Sequence, residues 1–320
     1  MFHGRVLPEI AAGLKVLRKR IAEAAIPSSR LDESLNIATW NIREFGRKRR
    51  SQAAIHYIAE ILGQFDVVSV VELRDDLSDL GRVMEILGPY WRVVYSDALT
   101  DAGGNRERIA FLYDRRAAVF TGFAAAVNPP RLRNGNGEYQ PAFTWWRQPY
   151  MASFRAGNFD FVLLAAHIQW GTSDGRTKEL ASLAEWIELK RSESTREDKD
   201  LIVLGDYNLE TPAHVKALTS RGLALPIAFR GKAIGTNLAR DKSYDQILHY
   251  PVYPETFSNR AGVLDFYTGG IASLFPGLEK DAFTYQLSDH LPLWMQLRTD
   301  IEGFELDQIL RESKAKARKA

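Results

Sequence analysis

Short apolar runs of strand length alternate with segments of helical periodicity over most of the chain. Apolar residues recur at helical spacing around Ile55 and Leu62, and again around Leu180 and Ile187. The runs that are long enough for strands are residues 35–40, 67–71, 91–95, 109–113, 119–123, 161–166, 201–204, 246–248 and 291–297. These strands are too many for a helical bundle, and the helices are too few for an eight-unit barrel. The pattern predicts one α/β domain built on two packed sheets with helices outside.

The two ends of the chain depart from this central pattern. Leu14, Leu17 and Ile21 fall on one face of residues 7–26, which predicts an amphipathic helix ahead of the main domain. Residues 311–320 are rich in Lys, Arg and Ala, and we expect a solvated tail there, with a nucleic-acid-binding arm as the alternative. The predicted organisation is a helical extension at 1–34, one domain at 35–298 and a basic tail at 299–320.

The composition of the chain excludes several kinds of site. Its 42 basic and 40 acidic residues give a formal charge of +2, so any contact with nucleic acid depends on local patches. The chain has no cysteine, which excludes a disulfide scaffold, thiolate zinc, iron–sulfur ligation and a thiol nucleophile. Neither a membrane-spanning run of about 20 apolar residues nor the apolar stretch of a signal peptide stands out. We therefore expect a cytoplasmic protein without a membrane segment, and we leave its oligomeric state open.

Several predicted strands end beside a side chain that binds metal ions or moves protons. These side chains are Asn41, Glu72, His167, Asp206 and Asn208 after four strands, and Asp289 and His290 before the last one. Strand ends are where a rigid scaffold presents groups to a shared cleft. Oxygen ligands without cysteine suit Mg²⁺ or Mn²⁺ better than Zn²⁺, and histidines beside acidic residues add proton transfer. The set predicts hydrolysis of a phosphate ester.

The same side chains belong to short motifs that follow one another along the chain. The motifs are Trp40-Asn41, Glu72, Arg106-Glu107-Arg108-Ile109, Arg147-Gln148-Pro149, His167, Gly205-Asp206-Tyr207-Asn208, Tyr244-Asp245-Gln246-Ile247 and Ser288-Asp289-His290. In this order they resemble the motifs of the endonuclease/exonuclease/phosphatase superfamily, and the resemblance spans residues 35–298. It implies an α/β, four-layer sandwich of two packed mixed β-sheets flanked by helices. It also implies a divalent-metal-dependent hydrolase of phosphoric esters.

The resemblance implies a metal site and a group that positions the nucleophile. Glu72 is the expected main ligand of Mg²⁺ or Mn²⁺, with Asn41 and Asp289 close by. Asp206 and Asn208 are expected to position the nucleophile or a phosphate oxygen.

The resemblance also implies two imidazoles that are oriented by carboxylates. His290, oriented by Asp245, is the expected general base on water, and His167, oriented by Glu107, supports the phosphate or the leaving oxygen. Such pairing fixes the tautomer of the imidazole and stabilises the imidazolium. The expected substrate-binding residues are Arg147, Arg108 and Asn41.

Some of these positions also have purely structural interpretations. Asp206 is equally suited to capping a turn, and Glu107 can pair with its neighbours Arg106 and Arg108 at the surface. The segment around Asp245 departs from the more common Arg-Ile-Asp-Tyr pattern, which leaves the substrate contacts beside it open. The remaining histidines belong to no cluster and are expected to be structural or solvated; they are His3, His56, His214 and His249.

Basic and aromatic residues indicate which kind of phosphate ester the protein binds. Residues 46–50, Gly-Arg-Lys-Arg-Arg, lie close to Asn41, and this place favours contact with a polyanion over a merely solvated run. Arg131, Arg133 and the pair Trp145-Trp146 would add a cationic rim with stacking surfaces, although the tryptophans suit a core position equally well.

We therefore expect a nuclease that hydrolyses DNA by attack of a His-activated water. One alternative is a phosphatase or phosphodiesterase that acts on a phospholipid or a small phosphorylated molecule. The signatures of inositol-phosphate 5-phosphatases are absent from the segments around Asp206 and Asp245. The other alternative is an inactive nucleic-acid-binding module.

Overall fold

A computed structural model of the chain describes residues 1–98, 105–192, 200–231, 234–250 and 254–317. The strands in these residues are β1 Ser34–Phe45, β2 Val67–Leu73, β3 Trp91–Tyr95, β4 Arg108–Asp114, β5 Val119–Ala126, β6 Arg131–Arg133, β7 Tyr139–Pro141, β8 Tyr150–Ala156, β9 Phe159–His167, β10 Leu201–Asp206, β11 Asp245–His249, β12 Phe257–Val263 and β13 Leu293–Arg298. The α-helices are α1 Pro8–Glu23, α2 Gln52–Leu62, α3 Ser78–Leu87, α4 Ser173–Ser192, α5 Pro212–Thr219, α6 Lys280–Thr284 and α7 Glu302–Ala317. Two single 3₁₀ turns lie at Ile227–Phe229 and Pro254–Thr256.

Two mixed sheets form the centre of the molecule. One has the strand order β12-β13-β1-β2-β4-β3 and the other β11-β10-β9-β8-β5. In each sheet one pair is parallel, β1 with β2 and β9 with β10, and the other pairs are antiparallel. Ile37 and Val70 of the first sheet share one buried cluster with Leu163 and Ile247 of the second, so the sheets pack face to face. The predicted fold of two packed mixed sheets flanked by helices is confirmed.

Helices cover both outer faces of this pair of sheets. Ile58 and Ile61 of α2 join the main core, whereas Leu183 and Ile187 of α4 pack in a second core with Val203 of β10. The predicted helices around Ile58 and Leu183 are therefore present. None of the helices in the described part of the chain is both long and apolar enough to cross a membrane.

Four strands, β6, β7, β8 and β12, were not predicted from the sequence. β8 is buried on both faces for most of its length, so it lacks the alternation of apolar and polar residues that marks a strand with one solvated face. β12 lies at the edge of its sheet and carries exposed polar residues at Asn259 and Arg260. The segment at 128–141 contains the small β6–β7 hairpin, on which Arg131 and Arg133 are exposed.

The predicted N-terminal helix is present as α1 and packs into the main core. Leu14, Leu17 and Ile21 are buried in that core. The buried Arg20 guanidinium donates hydrogen bonds to the carbonyl oxygens of Phe266, at 2.6 Å, and Gly270, at 3.0 Å. These bonds join α1 to a segment near the other end of the chain. The domain boundaries at residues 34 and 298 stay predictions.

The C-terminal segment contains a helix that the sequence did not predict. α7 spans much of the region expected to be a basic tail, and its residues Leu306, Ile309 and Leu310 are exposed. Residues 318–320 of that tail lie outside the described residues.

The packing of α1 generates a stability prediction. Leu17 is fully buried, so we expect Leu17→Ala to lower the free energy of unfolding by about 2–5 kcal/mol through lost apolar contacts and a residual cavity. Urea denaturation followed by circular dichroism measures this change. Leu31→Ala, at a largely exposed leucine, serves as the matched control and should change it by less than about 0.5 kcal/mol. Equal stability of the two variants would show that α1 adds nothing to the core.

Candidate active site

The ends of five strands bring the predicted polar side chains to one edge of the molecule. In the second sheet Asp206 lies opposite His167 of β9 on one side and opposite Asp245 of β11 on the other. In the first sheet Asn41 is close to the end of β1 and Glu72 close to the end of β2. Residues in register on adjacent strands have neighbouring side chains on one face. The strand register therefore gathers these groups without any long loop.

The local backbone at this edge has a positive φ at four positions, Glu44, Glu72, Gly205 and Asn208. Gly205 has φ +139°, and a Cβ atom there would lie 2.0 Å from the carbonyl oxygen of Ala166, so β10 pairs beside β9 only with glycine at this position. Glu72 and Asn208 have φ +63° and +50°, which is uncommon for residues other than glycine. Such strained residues cluster at functional sites.

Two buried imidazoles are each held by a carboxylate. His167 donates from Nδ1 to Glu107 Oε2 at 2.8 Å, and His290 donates from Nδ1 to Asp245 Oδ2 at 2.8 Å. Because Nδ1 carries the proton in each pair, Nε2 is free to exchange a proton with a substrate or water. Glu107 is thus buried beside His167, and the alternative of a surface pair with Arg106 or Arg108 is not what the structure contains.

The segment that carries His290 is held against β1. Ser288 donates from its hydroxyl to the carbonyl oxygen of Asn41 at 2.6 Å, and the His290 amide donates to the Ser288 hydroxyl at 3.0 Å. The indole of the fully buried Trp40 donates to the carbonyl oxygen of His290 at 2.9 Å. These bonds explain why Trp40 and Ser288 accompany the polar residues in the sequence motifs.

Asp206 lies between the two imidazoles. Its Oδ2 is 3.8 Å from His167 Nε2 and 3.7 Å from His290 Nε2, and it accepts a hydrogen bond of 3.0 Å from the amide of Asn41. Its other oxygen, Oδ1, accepts from the backbone amide of Asn208 at 3.0 Å. Asp206 therefore caps a turn with one oxygen and faces the two imidazoles with the other, and its catalytic role stays a prediction.

The donor groups fit a hard divalent cation. The Asn41 amide nitrogen donates to Glu72 at 2.9 Å and to Asp206, which leaves its carbonyl oxygen Oδ1 buried and, among the described residues, without a hydrogen-bond partner. A buried amide oxygen of this kind and the carboxylate of Glu72 are suitable ligands for Mg²⁺ or Mn²⁺. Asp289 lines the same cavity. A second group that is able to hold a metal ion consists of Asp206, Asp245 and His290, whose ligand atoms lie within 4.8 Å of one another.

Arg147 presents a buried cation to the same cavity. Its Nε is 3.0 Å from Glu107 Oε2, whereas its Nη1 is buried and has no hydrogen-bond partner in the part of the chain that the structure describes. Arg74 lies near the other oxygen of Glu107, at 3.7 Å. A buried guanidinium nitrogen without a partner is costly unless a ligand accepts from it, and phosphate oxygens are well suited to that role.

The charges of these groups stabilise one another. Burial raises the pKa of Glu107, but His167, Arg147 and Arg74 outweigh it and lower that pKa to about 2. Burial likewise raises the pKa of Asp206, and the neighbouring His290 and His167 bring it below its ordinary value. For the two imidazoles, burial lowers the pKa and the neighbouring carboxylates raise it.

Burial lowers the pKa of His290, but Asp245 and Asp206 outweigh it and raise that pKa well above its ordinary value. For His167, burial and Arg147 lower the pKa, and Glu107 and Asp206 outweigh them. The lowered pKa values favour the ionised carboxylates of Glu107 and Asp206, and the raised pKa values favour the protonated imidazoles of His167 and His290.

Helix α4 supports three loops of the site from outside. The buried Arg176 donates to the carbonyl oxygen of Asn208 at 3.0 Å and to the carboxylate of Glu210 at 2.9 Å. One turn later, Glu179 accepts from the backbone amides of Trp146 at 3.0 Å and Gln169 at 3.2 Å. These two side chains thus fix the loops that carry Asn208, Arg147 and the residues after His167.

Most of the predicted site residues line one cavity of about 410 Å³. The predicted residues that line it are Asn41, Glu72, Glu107, Arg147, His167, Asp206, Asn208, Asp289 and His290. Asp245 is fully buried and holds His290. Arg108 is directed elsewhere, since its guanidinium donates to the carbonyl oxygen of Arg74 and to the Asp75 carboxylate, both at 3.3 Å.

The cavity also has lining residues that sequence reasoning missed. They are Arg43, Glu44, Arg74, Asn105, Trp170, Tyr244 and Tyr285, of which Tyr244 was considered only as a departure from a familiar pattern. Arg43 and Arg74 each follow a predicted metal ligand by two residues, and this strand spacing was a usable signal. Trp170 follows His167 in a loop, where no periodicity identifies it.

The basic and aromatic candidates divide between surface and core. Within residues 46–50, Arg50 is buried and donates to backbone carbonyl oxygens, whereas Lys48 lies over the ring of Tyr285 at 4.6 Å. Trp145 is buried in the second core, edge-on to Phe143 with the ring centroids 4.6 Å apart. Each remaining histidine has a partner elsewhere: His3 bonds His56 and Glu60, His214 bonds Ser173, and His249 stacks on Phe257.

Comparison with known proteins places this geometry in a family. The family model described as Endonuclease/Exonuclease/phosphatase family matches residues 38–290. Human Deoxyribonuclease-1 is 32% identical over 114 residues, which cover 33% of this chain and 40% of that protein. The chain thus matches less than half of the length of this relative.

Solved structures show the same fold. An endonuclease/exonuclease/phosphatase family protein from Bacteroides thetaiotaomicron superposes with a TM-score of 0.53 at 18% identity, covering 84% of this chain and 96% of that one. A mannosyl-6-phosphatase from the same species superposes with a TM-score of 0.51 at 15% identity, covering 82% and 99%. The family match extends over most of the chain and includes both imidazoles and every predicted metal ligand. The chain therefore belongs to the endonuclease/exonuclease/phosphatase family.

Proposed function

We propose that this protein is a divalent-metal-dependent phosphodiesterase that hydrolyses DNA. Members of its family are typically metal-dependent hydrolases of phosphoric esters. The observation that carries the proposal is the buried Arg147 Nη1, which lacks a partner among the described residues and shares a cavity with the two carboxylate-held imidazoles. A phosphate group that accepts from Arg147 would be within reach of proton-transfer groups.

The choice of DNA has two supports. One is the similarity to human Deoxyribonuclease-1 over 114 residues. The other is that the guanidinium groups of Arg43, Arg74 and Arg147 line the cavity together with the carboxylates that would hold a cation. Several guanidinium groups around one phosphate site suit a chain of phosphates better than a single one.

In the proposed mechanism the residues of this chain bind phosphate and move protons. Arg147 holds a phosphate oxygen, His290 Nε2 takes a proton from the attacking water, and Asp245 stabilises the imidazolium that forms. His167 supports the leaving oxygen, and Asp206 orients the attacking water between the two rings. Glu72, Asn41 and Asp289 would hold Mg²⁺ or Mn²⁺. When bound, such a cation neutralises charge on the phosphate and polarises it.

A second candidate function is hydrolysis of a small phosphorylated molecule. A cavity of about 410 Å³ is of the size that takes small ligands, and the fold is shared with a mannosyl-6-phosphatase. Release of phosphate from inositol phosphates, mannose 6-phosphate and nucleotides, and turnover of sphingomyelin, measured beside DNA cleavage, separate the two functions. An inactive binding module is disfavoured because His167 and His290, which are able to transfer protons, both line the cavity.

The proposed chemistry predicts loss of hydrolysis without loss of the fold. We expect His290→Ala and Asp206→Asn each to lower the rate of plasmid nicking with Mg²⁺ or Mn²⁺ by at least about 100-fold, because each removes a proton-transfer or orienting group. Chelator should abolish nicking by the wild type. Asp160→Asn, at the opposite end of β9, is the matched control and should retain full activity. Absence of metal-dependent cleavage of every form of DNA and RNA by the wild type would contradict the proposal.

The Glu107–His167–Arg147 array predicts a pH-dependent stability. The pKa of Glu107 is lowered in the folded state to about 2, so its contribution is fully present above the ordinary pKa of a glutamate and is lost as the pH falls towards 2. We expect Glu107→Gln to reduce the free energy of unfolding at pH 6 by about 3–5 kcal/mol, because His167 and Arg147 lose their buried partner. Denaturant titrations across pH should also show a smaller loss of stability in acid for this variant. Parallel stability–pH curves for wild type and variant would refute the ion-pair assignment.

A further inference from the structure

Trp170 is a large aromatic residue at the margin of the cavity, and more than half of its surface is exposed. It lines the cavity and has a relative exposure of 57%. Leaving an indole in water forgoes a large hydrophobic gain, so a ligand in the cavity that covers this ring would recover it. The position of this residue, three residues after His167, places it beside the groups that are proposed to bind phosphate.

Neighbouring side chains hold the indole in one orientation. The ring of Tyr244 meets it edge-on, with centroids 5.4 Å apart and planes at 81°. The Arg176 guanidinium carbon is 5.4 Å from the ring centroid, and Arg176 is itself fixed by Asn208 and Glu210. A ring that is already oriented loses little conformational freedom when a flat group stacks on it.

The other aromatic rings of the cavity are occupied by protein groups. Arg43 and Lys48 lie over the ring of Tyr285, at 4.0 Å and 4.6 Å from its centroid. Tyr244 lies between Trp170 and His290, whose ring centroid is 5.6 Å away. Among the three aromatic residues that line the cavity, Trp170 is therefore the one with a largely open surface.

We propose that Trp170 stacks on an unpaired nucleobase next to the phosphate group in the cavity. This inference rests on the proposed function, since it assumes that a phosphate occupies the space beside His290 and Arg147. The ring of Tyr244 contacts both Trp170 and His290, so a single ring separates the indole from the proposed general base, His290. A nucleotide bound with its phosphate at His290 is placed to reach the indole with its base.

The base that stacks on Trp170 has to be unpaired. Inside a duplex both faces of a base are covered by its neighbours, and exposing one face costs unstacking energy. A single strand presents its bases without this cost, and aromatic side chains bind them with little sequence preference. Trp170 therefore gives the site a preference for single-stranded DNA, or for an unpaired end, over an intact duplex.

Binding measurements with chelator test this preference without cleavage. Fluorescence anisotropy of a fluorescein-labelled thymidine oligonucleotide, and of its duplex with an adenine strand, gives the two affinities. We expect Trp170→Ala to weaken single-strand binding by about 5- to 150-fold, the usual effect of one lost stacking contact, and to change duplex binding less than twofold. Trp170→Phe, which keeps an aromatic face, should recover most of the loss.

Tyr90→Ala is the matched control. Tyr90 is an exposed aromatic residue under Arg116, beside the Asp114 end of β4 and remote from Glu107. The Tyr90→Ala substitution should leave the affinities for the single strand and for the duplex unchanged. Thermal melting of all variants checks that each is folded.

The outcomes separate this inference from the proposed function. Unchanged single-strand affinity in Trp170→Ala, or an equal loss on single strand and duplex, would overturn the inference even if the wild type cleaves DNA. Binding of mannose 6-phosphate that depends on Trp170, with no effect on the oligonucleotide, would overturn it in favour of a sugar ligand. Single-strand binding that depends on Trp170 in a protein that cleaves no nucleic acid would support the inference and refute the proposed function.

Discussion

The site depends on one buried carboxylate that joins the two sheets. Asp206 ends β10 of the second sheet, and its Oδ2 accepts a hydrogen bond from Asn41 of the first. The same oxygen lies within 4 Å of Nε2 of both His167 and His290. A charge at this depth is tolerable only because cationic and donor groups surround it. The packing of the two sheets therefore also fixes the geometry of the site.

The surroundings of Asp206 show how the fold preserves this arrangement. Trp40 and Ser288 hold the backbone around His290 against β1, and Glu107 and Asp245 orient the imidazoles. Helix α4 fixes the remaining loops through Arg176 and Glu179. Each catalytic candidate is thus oriented by a second buried group. Preorganised polar groups of this kind stabilise developing charge without reorganising during the reaction.

Strand ends were predictable from the sequence, whereas the directions of individual side chains were less so. Asn41, Glu72, His167 and Asp206 follow apolar runs, and the strand register brings them together as expected. Arg108 was grouped with Glu107 at the site, but its guanidinium donates to the carbonyl oxygen of Arg74 and to Asp75, and its role in substrate binding stays a prediction.

Contacts between distant segments were beyond the reach of the sequence patterns. Arg50 sits in a run of basic residues, yet the turn before α2 directs it inward. Arg20 binds the carbonyl oxygen of Phe266, 246 positions away, and no local pattern predicts such a contact. Trp170 lies in a loop, and its exposure beside Tyr244 depends on three segments that meet only in the folded chain.

We propose above all that Glu72 and Asn41 hold a divalent cation beside Asp206 and the imidazoles. Anomalous diffraction from crystals soaked with Mn²⁺ tests it most directly. We expect an anomalous peak at a ligand distance of about 2.0–2.6 Å from a Glu72 carboxylate oxygen and from Asn41 Oδ1. Crystals that contain bound Mn²⁺ only at other places, with both oxygens free, would contradict it.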